Sequence, residues 1–273
     1  MATNKIYMDI LEIIQFAFVQ KAFIAGSFVA LLCSVLGLFL VLQRLSLIGD
    51  GLAHVSFGAI ALGLFFGLYP IYFAVPVVVL ASVVIFKLVK KGRFSGDAAI
   101  GIVSSAGIAM GVILASISNG FNVDLFSYLF GNILAISSAE MYFSIFLSLV
   151  VLAVIYLFYY DLFSITFNED YAKTTGIKTE LVNSLLVILT AITVVLAVKV
   201  VGVMLVSSLL ILPAVTALQL KQSFKATIFI SAIFAVFSVL TGIILSIILN
   251  IPAGASIVLC NFFIFVLAFL FKK

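Results

Sequence analysis

Hydrophobic residues run along this chain in long blocks separated by short polar punctuation. The blocks fall at Ala22–Leu42, Leu47–Gly67, Ile71–Lys87, Ala98–Ser118, Ala139–Tyr160, Leu181–Val198, Gly202–Leu220, Ala226–Leu249 and Ala253–Phe271. Each is near the ~20 residues with which a helix crosses about 30 Å of hydrocarbon. A β-barrel would instead show alternating segments of about ten residues. The pattern predicts an all-α polytopic membrane helix bundle with about nine transmembrane helices, and the boundaries are compatible with eight to ten. Asp124–Ile136 is too short to cross and Tyr7–Gln20 is amphipathic, so both are expected at an interface or re-entrant. No soluble stretch or linker interrupts the pattern, and residues 1–273 read as a single transmembrane domain.

Composition fixes the solvent. The chain is 66% hydrophobic and 9% charged, with a mean hydropathy of +1.44. A soluble domain is about half apolar and a quarter charged, and no soluble fold of this length hides so much apolar surface. Cys33 and Cys260 sit inside apolar runs without Cys-x-x-Cys spacing, which reads as inert buried thiols. Met1–Gln20 is mixed polar and aromatic, and the apolar run after it is too long for a signal h-region, so no cleavable signal is expected.

Charge orients the bundle. If the loop Asp161–Thr179 is cytoplasmic, then Arg44, Lys87, Lys90, Lys91, Arg93, Lys173, Lys178, Lys221, Lys225, Lys272 and Lys273 fall inside. Only Lys5, Lys21 and Lys199 fall outside, and cytoplasmic loops are the ones enriched in Lys and Arg. With nine spans the N-terminus is then outside and the C-terminus cytoplasmic. Glycines crowd the second span (Gly49, Gly51, Gly58, Gly63, Gly67) and the fourth (Gly101, Gly107, Gly111). Small residues let helix backbones approach closely, which predicts a central position for the second span. Trp is absent, so the interfacial belt is expected to rest on Tyr69, Tyr128, Tyr142, Tyr159 and Tyr160.

Candidate chemistry is confined to two places. Asp50 and His54 are four residues apart, on one helical face and about 6 Å apart along the axis, and His54 is the only histidine in the chain. Ionisable groups within a bilayer are costly and face a partner or an aqueous path. Carboxylate with imidazole is a half-set of ligands for a divalent ion such as zinc or manganese, and two copies around a twofold axis would complete it. On the residues alone, a proton relay and a purely structural tie are equally open. Ser104, Ser105, Ser207 and Ser208 read as back-bonded or interhelical hydroxyls, Pro213 as a kink, Lys199 as a snorkelling residue, and Asp97 as a helix-dipole partner.

The second place is the polar loop Phe167–Ile177. Asn168 is placed as an N-cap, Glu169 and Asp170 fill a first turn, Tyr171, Ala172 and Lys173 continue it, and Gly176 stops it. That is a stub of about 10 Å, suited to passing motion to or from a cytoplasmic partner. No phosphate loop or other catalytic motif is present in the sequence, so any ATPase must be another polypeptide and the chain itself is not an enzyme.

Arg44-Leu45-Ser46-Leu47-Ile48-Gly49-Asp50-Gly51-Leu52-Ala53-His54, followed by Gly58-Ala59-Ile60-Ala61-Leu62-Gly63, resembles the second-helix signature of the zinc/manganese/iron-type (metal-chelate, ABC-3) ABC transporter permeases. The stretch from Lys199 through Gly202, Ser207 and Ser208 to Pro213-Ala214 resembles that family's second strong block. The loop Phe167–Ile177 sits where those permeases place the helix that meets the ATPase. Phe57-Gly58 replaces a commoner proline-glycine step, and Gly51 and Ala53 replace a commoner alanine and serine. These departures leave Asp50 and His54 in place and bear on metal selectivity. The resemblance implies a permease subunit of an ATP-driven importer in the bacterial cytoplasmic membrane. It implies a homodimer with two cytoplasmic ATP-binding subunits and an extracytoplasmic metal-binding protein, and no nucleic-acid partner. No tightly bound cofactor is expected, zinc or manganese (less favoured, iron) being cargo. Asp50 and His54 would contact the metal, residues 161–179 would be the coupling loop, and Gly120–Ser137, with Asn122 and Asp124, would meet the binding protein. A proton-coupled secondary transporter using Asp50 and His54 as its relay is the alternative.

Overall fold

The computed structural model describes residues 15–90, 95–117 and 124–271. The amphipathic stretch up to residue 14, Asn122, the side chain of Asp124, and Lys5, Lys91, Arg93, Lys272 and Lys273 lie outside the described residues. Among the described residues twelve α-helices follow in order: α1 Ala17–Leu42, α2 Leu47–Phe65, α3 Pro70–Lys90, α4 Gly96–Ile117, α5 Asp124–Phe130, α6 Ser138–Leu157, α7 Tyr159–Phe167, α8 Glu169–Thr174, α9 Thr179–Val201, α10 Val206–Gln219, α11 Phe224–Leu249 and α12 Ala253–Leu270. Among the described residues, eight helices are long and apolar enough to cross a membrane: α1 to α4, α6, α9, α11 and α12.

The expected seventh span is shorter than its hydropathy indicates. α10 keeps 14 residues, or about 21 Å, because Gly202 turns into a left-handed conformation at φ +87. The amides of Val203 and Met204 then donate to the carbonyls of Tyr128 (3.0 Å) and Leu129 (3.4 Å) instead of entering the helix. Gly131, at φ +77, faces this turn, and a β-carbon there would lie 2.5 Å from the Val201 carbonyl carbon. The stretch Asp124–Ile136 is thus a clamp: α5 and a 3₁₀ turn at Ile133–Ala135 fasten to the α9–α10 turn, with Ile133 fully buried.

Contacts between turns define two ends of the bundle. At one end the Gln43 amide donates to Thr166 Oγ1 (2.9 Å), Lys90 pairs with Glu180, and Phe39 and Phe167 both meet Phe224. At the other end Lys199 Nζ lies 3.1 Å from Glu140 Oε1, and Tyr72 packs edge-on against Phe143. α1, α2 and α9 form the interior, with about two-thirds or more of their residues buried, while few residues of α4 are fully buried. α2 is central, as its glycines predict. Gly58 and Gly107 bring the backbones of α2 and α4 together: a β-carbon on Gly107 would lie 2.7 Å from the Val55 α-carbon, and one on Gly58 would strike the Gly107 carbonyl.

Two sequence-based assignments are corrected. Lys199 does not snorkel; its ammonium is paired with Glu140 and lies 5.2 Å from the Tyr128 ring centroid. Tyr128 is buried within the clamp and takes no place in an interfacial belt, unlike the exposed Tyr69, Tyr142 and Tyr160.

Candidate functional site

α1 ends on a left-handed residue, Arg44, at φ +60. The amide of Leu45 donates to Leu40 (2.8 Å) and that of Arg44 to Val41 (3.1 Å), the paired bonds of a Schellman stop. Only Gln43 to Ser46 separate α1 from α2, so Asp50 falls in the first turn of α2. From Ile48 to Ala61 every residue is buried except Asp50 and His54. The two polar side chains therefore share the one open strip of a helix that is otherwise enclosed.

His54 Nε2 lies 3.6 Å from Asp50 Oδ2. That is too long for a good hydrogen bond. It is close to the separation of about 3.4 Å expected for two donors on a tetrahedral ion with arms of about 2.1 Å. The other carboxylate oxygen, Oδ1, accepts from the Ser207 hydroxyl at 3.4 Å. Among the described residues no group of three or more His, Cys, Asp or Glu side chains converges, so one copy offers the pair and no fuller acidic or imidazole cage.

Ser207, expected to be a back-bonded or interhelical hydroxyl, is interhelical, and its partner is 157 positions away. Leu210, one turn further along α10, explains the reach. A β-carbon on Gly49 would lie 2.6 Å from Leu210 Cδ1, and one on Gly37 would strike the Leu210 carbonyl. α10 is thereby seated in a groove between α1 and α2, which brings its first turn over Asp50. Ser104, by contrast, bonds back to the Gly101 carbonyl (3.2 Å), as expected.

The loop between the fifth and sixth spans holds two helices rather than one. α6 stops at Leu157, and α7 continues to Phe167 before α8 begins. Asn168 Oδ1 caps α8 by accepting from the Tyr171 amide at 2.9 Å. Gly176, at φ +86, closes it: the Gly176 amide donates to Lys173 and the Ile177 amide to Ala172, both at 3.1 Å. Lys173 reaches Glu169 (3.1 Å) and Asp170 (3.6 Å), and the Glu169 carboxylate, then Asp170, raises the lysine's pKa above its ordinary value. Ala172 is fully buried, while Tyr171 and Phe167 are exposed. Aromatic contacts tie this segment to the bundle. The Phe224 ring centroid is 5.0 Å from Phe163 and 5.5 Å from Phe39, a junction not evident from the sequence. Beside α8 lies a cavity of about 460 Å³ lined by Gln43, Phe86, Ile100, Thr166, Glu169 and Asn183, among others.

Comparison with known proteins covers the whole arrangement. The chain is 34% identical over 261 residues to the manganese transport system membrane protein MntC of Halalkalibacterium halodurans, spanning 96% of this chain and 89% of that one. It is 31% identical over 258 residues to the high-affinity zinc uptake system membrane protein ZnuB of Haemophilus influenzae, spanning 94% and 98%. Its fold is similar to a chain of PsaBC from Streptococcus pneumoniae solved in complex with Fab, with a TM-score of 0.88, 31% identity and coverage of 97% and 95%. The family described as ABC 3 transport family matches residues 15–272, and this multi-pass membrane protein belongs to it.

Proposed function

We propose that the chain is the permease subunit of an ATP-driven importer that carries a divalent metal ion, zinc or manganese, across the cytoplasmic membrane. The observation that carries this reading is the Asp50–His54 pair, 3.6 Å apart on the open strip of a buried helix, with the spacing of donors that share an ion. Relatives named for manganese and for zinc stand at comparable identity, so both metals belong to the proposal. Family membership favours ATP drive over proton coupling.

In this reading two copies face each other across their open strips. Two carboxylates and two imidazoles would then neutralise and hold one dication. The end bearing Arg44, Lys90, Lys173, Lys178, Lys221 and Lys225 is cytoplasmic, and α8 (capped by Asn168 and Gly176) docks a separate ATP-binding subunit. The opposite end, including the α5 clamp, receives the metal from an extracytoplasmic binding protein.

Radiolabelled zinc and manganese uptake, in cells carrying the complete transporter at matched abundance, tests the site. Asp50→Ala and His54→Ala should each reduce uptake of the transported metal by at least about tenfold, the scale of losing one good ligand. Unchanged uptake in both variants would sink the reading.

A further inference from the structure

The first turn of α10 touches the pair and is not explained by a two-residue site. Asp50 divides its oxygens: Oδ2 faces His54, and Oδ1 takes the Ser207 hydroxyl. We infer that Ser207 is a positioning residue for translocation, holding Oδ1 so that Oδ2 is presented to the metal beside His54 Nε2. This deepens the metal-site reading above and rests on it.

Three features support the role. A carboxylate on a flexible side chain can bind an ion through one oxygen or two, and an occupied Oδ1 selects one. Ser207 itself is placed with unusual care. Its helix starts on a turn clamped by the Val203 and Met204 amide bonds to the α5 backbone, and Leu210 is wedged against Gly37 and Gly49 one turn later. Asp50 also stands at the N-terminal end of a 14-residue helix whose cap, Leu205, makes no side-chain hydrogen bond, so the partial positive charge of that helix end draws the carboxylate toward Ser207. Ser208, the next residue, lies about 100° further round α10 and is not the hydroxyl bonded to Asp50, which makes it the matched control.

The test is metal uptake by the assembled transporter in proteoliposomes with its partner subunits, read as KM and maximal rate for zinc and for manganese separately. Ser207→Ala should raise KM about tenfold, the worth of one hydrogen bond to a charged group, and change the zinc-to-manganese ratio. Ser207→Thr, which keeps the hydroxyl, should restore both, and Ser208→Ala should change neither. Wild-type KM and ratio in Ser207→Ala, while Asp50→Ala and His54→Ala abolish uptake, would overturn the role of Ser207 and leave the metal site standing. Equal loss in Ser207→Ala and Ser207→Thr, with a lowered melting temperature, would reduce Ser207 to a packing residue and overturn the proposal. Full uptake in Asp50→Ala and His54→Ala would remove the site, and the positioning role with it.

Discussion

At the scale of the residue, two of the ionisable pairs among the spans solve the same problem in opposite ways. Asp50 and His54 are left open and loosely joined, whereas Glu140 and Lys199 are closed on each other with side chains only 21% and 17% exposed. Glu140 has two duties. Its Oε2 accepts from the Ser137 amide at 2.8 Å in a capping box, and its Oε1 meets Lys199. Lys199→Ala leaves a half-buried carboxylate without its partner and should destabilise the protein by about 1–3 kcal/mol. Adding Glu140→Gln, which removes the stranded charge and keeps the cap acceptor, should recover part of the loss. Thermal unfolding of the purified protein in detergent measures both, and a double variant less stable than Lys199→Ala would show the pair to be unimportant.

At the scale of the element, local rules reach only as far as local interactions do. The ends of α8 are legible because cap and stop lie within ten residues of each other: Asn168 accepts from Tyr171, and Gly176 takes the left-handed position. The start of α10 is not, because the amides lost at Val203 and Met204 bond to Tyr128 and Leu129, more than seventy positions away. The partner of Lys199 was hidden for the same reason. Hydropathy reports what lipid tolerates, and a turn buried in protein satisfies that condition as well as a helix does. Asp50 and His54 were visible as a helical pair, but the burial of every other position from Ile48 to Ala61 required the packed bundle. The coupling role proposed for α8 belongs to this scale. Proline cannot adopt the φ of +86 at Gly176 and lacks the amide that bonds Lys173, so Gly176→Pro should unwind the last turn and abolish stimulation of the partner's ATPase. Gly176→Ala meets open space and keeps the amide but is strained at this φ by about 1–2 kcal/mol, so it should retain more stimulation than Gly176→Pro and less than the wild type. ATPase assays of the reconstituted complex decide, and full stimulation in Gly176→Pro would rule out docking through α8.

At the scale of the whole molecule, helices at both ends stop on left-handed residues other than glycine, Asn250 (φ +54) at one end and two cations at the other. Arg44 and Lys221 occupy left-handed positions, at φ +60 and +51, where glycine would fit with less strain. Both stand at the end that holds α8, so a backbone cost is borne where a cation is retained, in keeping with a cytoplasmic face. That orientation is testable by labelling. With Cys260 replaced and Cys33 buried, a cysteine at the exposed Tyr171 should react with a membrane-impermeant maleimide only in inside-out vesicles. A cysteine at Tyr69, exposed at the other end, should react only in right-side-out cells. The reverse pattern would invert the topology.

The open spacing of Asp50 and His54, 3.6 Å apart, has a consequence for time as well as affinity. An ion held at nanomolar strength in a rigid cage, arriving at about 10⁷ M⁻¹s⁻¹, would dwell for roughly a hundred seconds. A carrier built that way would stall on its own cargo. In the two-copy arrangement proposed above, dwell time is governed by the gap between the copies, and the same four side chains can capture the ion when near and let it go when apart.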